Sequence, residues 1–163
     1  MSLWRHLAAI LLLPGVVAIA VPALVVWQSG ASVGLLAVIG TPVVAVGLLL
    51  LASTIKLFAS VGRGTLAPWD PTKRLVVRGP YRYVRNPMIS GVLFVLLGEA
   101  GLAGSLPLLL WFGAVFAANA VYLPLVEEPG LSRRFGDDYA TYKANVPRWL
   151  PRIRPWSGGN APP

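Results

Sequence analysis

The sequence predicts an all-α fold: an integral membrane helical bundle of about four transmembrane helices in two hairpins, with short cytoplasmic surface helices beside them. Three observations carry this. Hydrophobic residues make up 56% of the 163 and charged ones only 12%, whereas a soluble domain carries roughly 25% charged residues. Apolar runs of about 20 residues recur, enough to cross a ~30 Å hydrocarbon core as helices. Charge is also segregated. After Arg5 no Asp, Glu, Lys or Arg occurs before Lys56, and the positive residues gather at 63–85 and 133–154, beside apolar runs. The formal charge of +8 therefore reads as juxtamembrane clusters that favour anionic lipid headgroups and the cytoplasmic side. It does not read as a nucleic-acid groove, which would interleave basic and aromatic residues away from lipid-length helices. Cysteine is absent and His6 is the only histidine. Thiolate and histidine metal sites, a cysteine nucleophile and a Ser-His-Asp triad are excluded, and no metal is expected.

The chain reads as one domain, 1–163. Residues 6–59 form the first hairpin. His6–Trp27 is apolar throughout, with Arg5 before it and Trp27 as an interfacial ring after it. Arg5, the apolar stretch and Ala18-Ile19-Ala20 imitate a signal peptide, but the run continues past that point into Pro22, which favours a retained helix. Pro14 and Pro22 should bend it. Gln28–Ser32 is a short uncharged turn, and Val33 to about Ala59 is the second apolar run, with Pro42 inside and Lys56 able to extend its amine to the interface.

Residues 60–87 are a cytoplasmic loop. It opens with Gly62-Arg63-Gly64-Thr65 and closes in Gly79–Gly91, GPYRYVRNPMISG. There Arg82 and Arg85 alternate with Tyr81 and Tyr83 before Asn86-Pro87. Arginines at the mouth of a membrane helix can anchor it or hold an anionic group near the surface. Bounding Gly-Pro and Asn-Pro turns go beyond what anchoring needs.

Residues 88–126 form the second hairpin, with helices Met88–Ala103 and Ser105–Val126 joined at Gly101–Gly104. Glu99 is either a functional acid within an apolar helix or a carboxylate at the far interface. Asn119 is expected to bond a neighbouring helix. Glu127 and Glu128 fall at the end of the last apolar run. Adjacent carboxylates repel, and negative charge opposes the dipole at a helix C-terminus, so nearby cations are required. Within 127–154, Asp137 can cap a short surface helix carrying Tyr139, Tyr142 and Val146 as packing residues. Val146–Arg154 is an extended basic tail with Trp149, and 155–163 reads as a disordered end. Both basic regions and both termini then share one face, which charge makes cytoplasmic, and the parent membrane is expected to be the cell inner membrane. The constellation on that face suits a soluble cofactor from below and a lipophilic substrate from the side, with Arg82 and Trp149 as substrate contacts.

These residues resemble the membrane methyltransferases that include the isoprenylcysteine carboxyl methyltransferases and the phospholipid methyltransferases. The likeness runs from about Gly62 to Arg152. It rests on Gly62-Arg63-Gly64-Thr65, Gly79–Met88, Gly91, Glu127-Glu128, Phe135–Tyr139 and Val146–Pro151, in that order. It implies an S-adenosylmethionine cofactor held by Gly62, Gly64, Tyr83, Arg85, Asn86, Pro87, Glu127 and Glu128, with Arg85, Glu127 and Glu128 nearest the chemistry. It departs at Ile89, where the family usually has Tyr. The methyl acceptor that the resemblance implies is lipophilic or small: an isoprenylcysteine-like carboxylate, a phospholipid amine or a thiol. A carboxylate or thiolate needs no proton removed, whereas an amine must lose one, and either Glu127 or Glu128 is then the candidate base. The rival readings are an NADPH-dependent membrane reductase related to sterol reductases and a non-catalytic membrane binding protein.

Overall fold

The computed structural model describes residues 11–29, 34, 36–57, 60 and 75–158, and among these there is no strand. Leu11–Ala20 winds in wide π-type turns and passes into α1, Val21–Ser29. Pro22 favours the widening, because it lacks an amide hydrogen and its ring displaces the carbonyl one turn back. Trp27 near its end is 81% exposed, as an interfacial ring would be. α2 is Ala37–Leu57. α3, Pro87–Ala103, begins with a proline at the position where an amide would lack a partner anyway. It ends at Gly104, whose φ of +54° lets the chain reverse. The Ser105 hydroxyl accepts from the Leu108 amide to start α4, Leu106–Tyr122. A wide turn around Pro124, Leu123–Glu127, leads without a break into α5, Glu128–Asn145. α5 changes direction at Gly136 (φ +51°, ψ −127°).

α2 and α3 form the closest pair. A Cβ on Gly47 would stand 2.7 Å from the Gly91 carbonyl oxygen, and one on Gly98 would stand 2.7 Å from the Val44 nitrogen. Gly40 and Gly47, two turns apart, thus meet Gly98 and Gly91 backbone to backbone. In lipid, burial of apolar surface does not drive helices together, so this close dispersion contact does the holding. The Gly34 amide donates to the Leu102 carbonyl at 2.9 Å and ties the uncharged ends of the pair. The first helix joins through Ala18, packed with Val92, Val95 and Leu96, and through Trp111 Nε1 donating to the Val17 carbonyl at 3.1 Å. Outward faces carry exposed Val38, Ile39, Leu49 and Leu110, a lipid-compatible surface.

Among the described residues two helices are long and apolar enough to cross a membrane, Ala37–Leu57 and the 40-residue stretch, or rod, Leu106–Asn145. Gly15–Ser29 and Pro87–Ala103 are shorter. Among the described residues all four apolar segments are helical and two reach crossing length, while residues 6–10 of the first expected helix lie outside the described residues. The apolar part of the rod ends at Val126. Beyond it a second core gathers Tyr139, Tyr142 and Val146 with Leu75, Phe135 and Trp156.

Three local expectations are corrected. Glu127 and Glu128 do not terminate a helix, because the rod runs through them and its carbonyls stay partnered. Asn119 Nδ2 donates to Val115 of its own helix at 2.8 Å, not to a neighbour. The expected disordered end, 155–163, begins with a docked stretch. The Trp156 ring lies 5.8 Å from that of Tyr142, and its amide donates to the Arg82 carbonyl at 2.9 Å.

Candidate functional site

The site begins at a turn. Gly79 (φ +54°) opens a single 3-10 turn, Gly79–Arg82, that buries Tyr81. The two arginines then part ways. Arg82 Nε donates to the Trp156 carbonyl at 2.7 Å. Arg85 Nη1 donates to Glu128 Oε1 at 2.9 Å and lies 3.5 Å from the Tyr139 hydroxyl. The segment is held from outside by the tail, which runs antiparallel to it. The Arg85 amide donates to Pro147, and the Arg152 amide donates to Tyr83. The helical rod delivers the acids, and the wide turn around Pro124 sets their rotation.

Glu128 is clamped. Only 4% of its side chain is exposed, and it meets Arg85 at 2.9 Å, Lys143 at 2.8 Å and Arg148 at 2.6 Å. Burial by itself pushes its carboxyl up. The hydrogen bonds from Arg148 and Lys143, and the Arg85 and Arg148 charges, outweigh that and hold it at about 2. Glu127 differs: burial first, and then the Glu128 charge, raise it above the ordinary carboxylate range.

Glu127 lines a cleft of about 120 Å³ with Arg85, Asn86, Met88 and Ile89. The facing wall is Leu75, Val76, Leu131, Phe135 and Tyr139. Arg85 is 10% exposed, and its Nε is buried with no hydrogen-bond partner among the described residues. One edge of a guanidinium beside the cleft is therefore an unused donor, suited to a carboxylate or phosphate. Glu127 suits a cation or a pair of hydroxyls, and the aromatic and aliphatic wall suits a flat apolar group.

Of the residues singled out from sequence, Arg85, Asn86, Glu127 and Glu128 come together here, and Pro87 is buried as the first residue of α3. Tyr83 is half-exposed and does not line the cleft; its carbonyl braces the tail. Arg82 binds the tail, and the Trp149 ring packs 5.4 Å from Phe116 on α4. Gly62 and Gly64 lie outside the described residues. Glu99 belongs to the other end of α3, about 18 Å of helix from Pro87. Three participants have no role assigned from the sequence: Lys143, visible only as part of the basic excess, Arg148, which falls only within the Val146–Pro151 likeness, and the hydroxyl of Tyr139, which reads as packing.

A family model described as phospholipid methyltransferase matches residues 35–138, more than half of the chain, spanning α2 to the second half of α5 and including Arg85, Glu127 and Glu128. No curated protein and no solved structure gives a match.

Proposed function

We propose that this chain, which belongs to the phospholipid methyltransferase family, transfers a methyl group from S-adenosylmethionine to a lipophilic acceptor at the basic face of the membrane. That face is taken as cytoplasmic, in a cell inner membrane, on the charge asymmetry of the loops. One observation carries the reading. Arg85 and Glu128, 43 residues apart, are joined beside a cleft that Glu127 lines.

The residues fit the cofactor. The unpartnered edge of Arg85 answers its carboxylate, Glu127 its amine or ribose hydroxyls, and Ile89, Phe135 and Tyr139 its adenine ring. When bound, it supplies a methyl group already activated by a positive sulfur. The protein's share is therefore alignment, worth up to about 7–11 kcal/mol in favourable cases. Glu128 has both oxygens engaged by cations and serves to fix Arg85. That leaves Glu127 as the acceptor of the proton that a phospholipid amine must lose. Its raised pKa brings it nearer the working pH, where a general base is most effective. Ile89 lines the cleft without a hydroxyl; Tyr139 lines it too, with its hydroxyl 3.5 Å from Arg85 Nη1.

Titration of S-adenosylmethionine into the protein in lipid nanodiscs tests the reading. Glu127→Gln should lower affinity by at least about tenfold, one lost charge-assisted contact, and abolish transfer of labelled methyl to phosphatidylethanolamine. NADPH should give no saturable binding. Unchanged cofactor affinity in the variant would remove Glu127 from the site.

A further inference from the structure

The tail after α5 does not run out into water. It turns back along α4. Arg148 reaches Glu128 at 2.6 Å, and the next side chain, Trp149, packs its ring 5.4 Å from Phe116. Phe116 sits ten residues before the end of the apolar part of the rod, about 15 Å along the helix axis. The tail backbone is therefore pinned beside a segment whose surroundings are lipid. The two aliphatic residues that follow have almost no protein around them. Leu150 is 81% exposed and Ile153 is 98% exposed. Between and after them, Arg152 and Arg154 add positive charge, with no acid after Asp138 to balance it. The backbone cannot swing away freely, because the Arg152 amide is bonded to Tyr83 and the Trp156 amide to Arg82.

We propose that Trp149–Arg154 is an in-plane strap in the bilayer's interfacial layer, with Leu150 and Ile153 immersed among acyl chains and exposed Arg154 turned to anionic headgroups, while Arg152 donates to the Asn145 carbonyl at 2.7 Å. Immersing two aliphatic side chains is favourable, and basic flanks add attraction to an anionic leaflet. The occupant is the bilayer: the exposed pair is continuous, through Trp149 and Phe116, with the lipid-facing surface of α4. The strap also carries Arg148, so membrane contact and the Arg148–Glu128 pair are parts of one segment. This inference is independent of the methyl-transfer reading.

The chain has no cysteine, so single thiols can be introduced at Leu150, Ile153 and, as an aqueous reference, exposed Asp138. Leu150→Cys and Ile153→Cys remove side chains that pack on nothing, so folding is unaffected. Each variant is labelled with an environment-sensitive fluorophore in bilayers of phosphatidylcholine and phosphatidylglycerol. The quenchers are a nitroxide near the top of the acyl chain and aqueous iodide. Lipid quenching at 150 and 153 should exceed that at 138 several-fold, with the order reversed for iodide. Absence of that excess at either position overturns the proposal.

Discussion

Glu127 and Glu128 are chemically identical and adjacent, yet their surroundings divide them. Three cations meet Glu128, whereas Glu127 faces the cleft. Removing Glu128 would leave the buried Arg85 without its counter-ion, and breaking a buried pair in this way costs about 3–5 kcal/mol. Glu128→Ala should therefore lower the melting temperature clearly, whereas Glu127→Gln should lose cofactor affinity with little effect on melting. The pH dependence has a definite sign. The Glu128 carboxyl is depressed from an ordinary 4.5 to about 2, so its stabilisation is complete above about 4.5 and is lost as pH falls toward 2. That contribution is about 3 kcal/mol. The raised Glu127 works in the opposite sense, costing stability as pH climbs from 4.5 through its folded value. Melting curves from pH 2 to 7 should show the acid limb in the natural protein and a flattened limb in Glu128→Gln. An unchanged limb would mean that the three cations do not hold that carboxylate.

Among the elements, α2 and α3 depend on glycine in a way that hydropathy conceals. Both are legible in the sequence as apolar helices, with bounds within a few residues, because apolar run length is visible in composition. Which glycines touch is not legible there, since that depends on which faces meet. A Cβ on Gly98 would lie 2.5 Å from Val44 Cγ2 and 2.7 Å from the Val44 nitrogen. A backbone atom cannot move aside as a side chain does. Gly98→Ala should thus destabilise by about 1–3 kcal/mol through overpacking. Gly113→Ala, in α4 with nothing within 4 Å, should be neutral or gain up to about 1 kcal/mol from helix propensity. Detergent-titrated unfolding of the two variants checks this. Equal stability would show that the glycine contacts do not set the helix separation.

For the whole molecule, the convergence of Arg85 with the acid pair was legible, because opposite charges at matching ends of apolar runs have to share a face. The tail was not. Its three backbone bonds to Arg82, Tyr83 and Arg85 involve no side chain, so no residue type announces them. Lys143 and Arg148 display their charge in the sequence but not their partner. Residues 155–163 look like a disordered end from their terminal position, yet the one aromatic in them, Trp156, fills the second core. The tail thus completes the site from outside the helices, and truncation after Asn145 tests whether the site exists without it. The shortened chain keeps every helix and the α2–α3 pair, so its helical circular dichroism should match the full chain. It loses Arg148 and the three backbone bonds from the tail to the arginine segment, keeping only the Tyr142–Tyr81 bond and the Arg85 side-chain contacts, so cofactor binding should fall below detection. Arg148→Ala removes the ion pair but leaves the backbone bonds, so it should lose less, about tenfold, in line with one charged hydrogen bond. A truncated chain that binds as tightly as the full one would show that Arg85 and Glu128 hold their arrangement unaided.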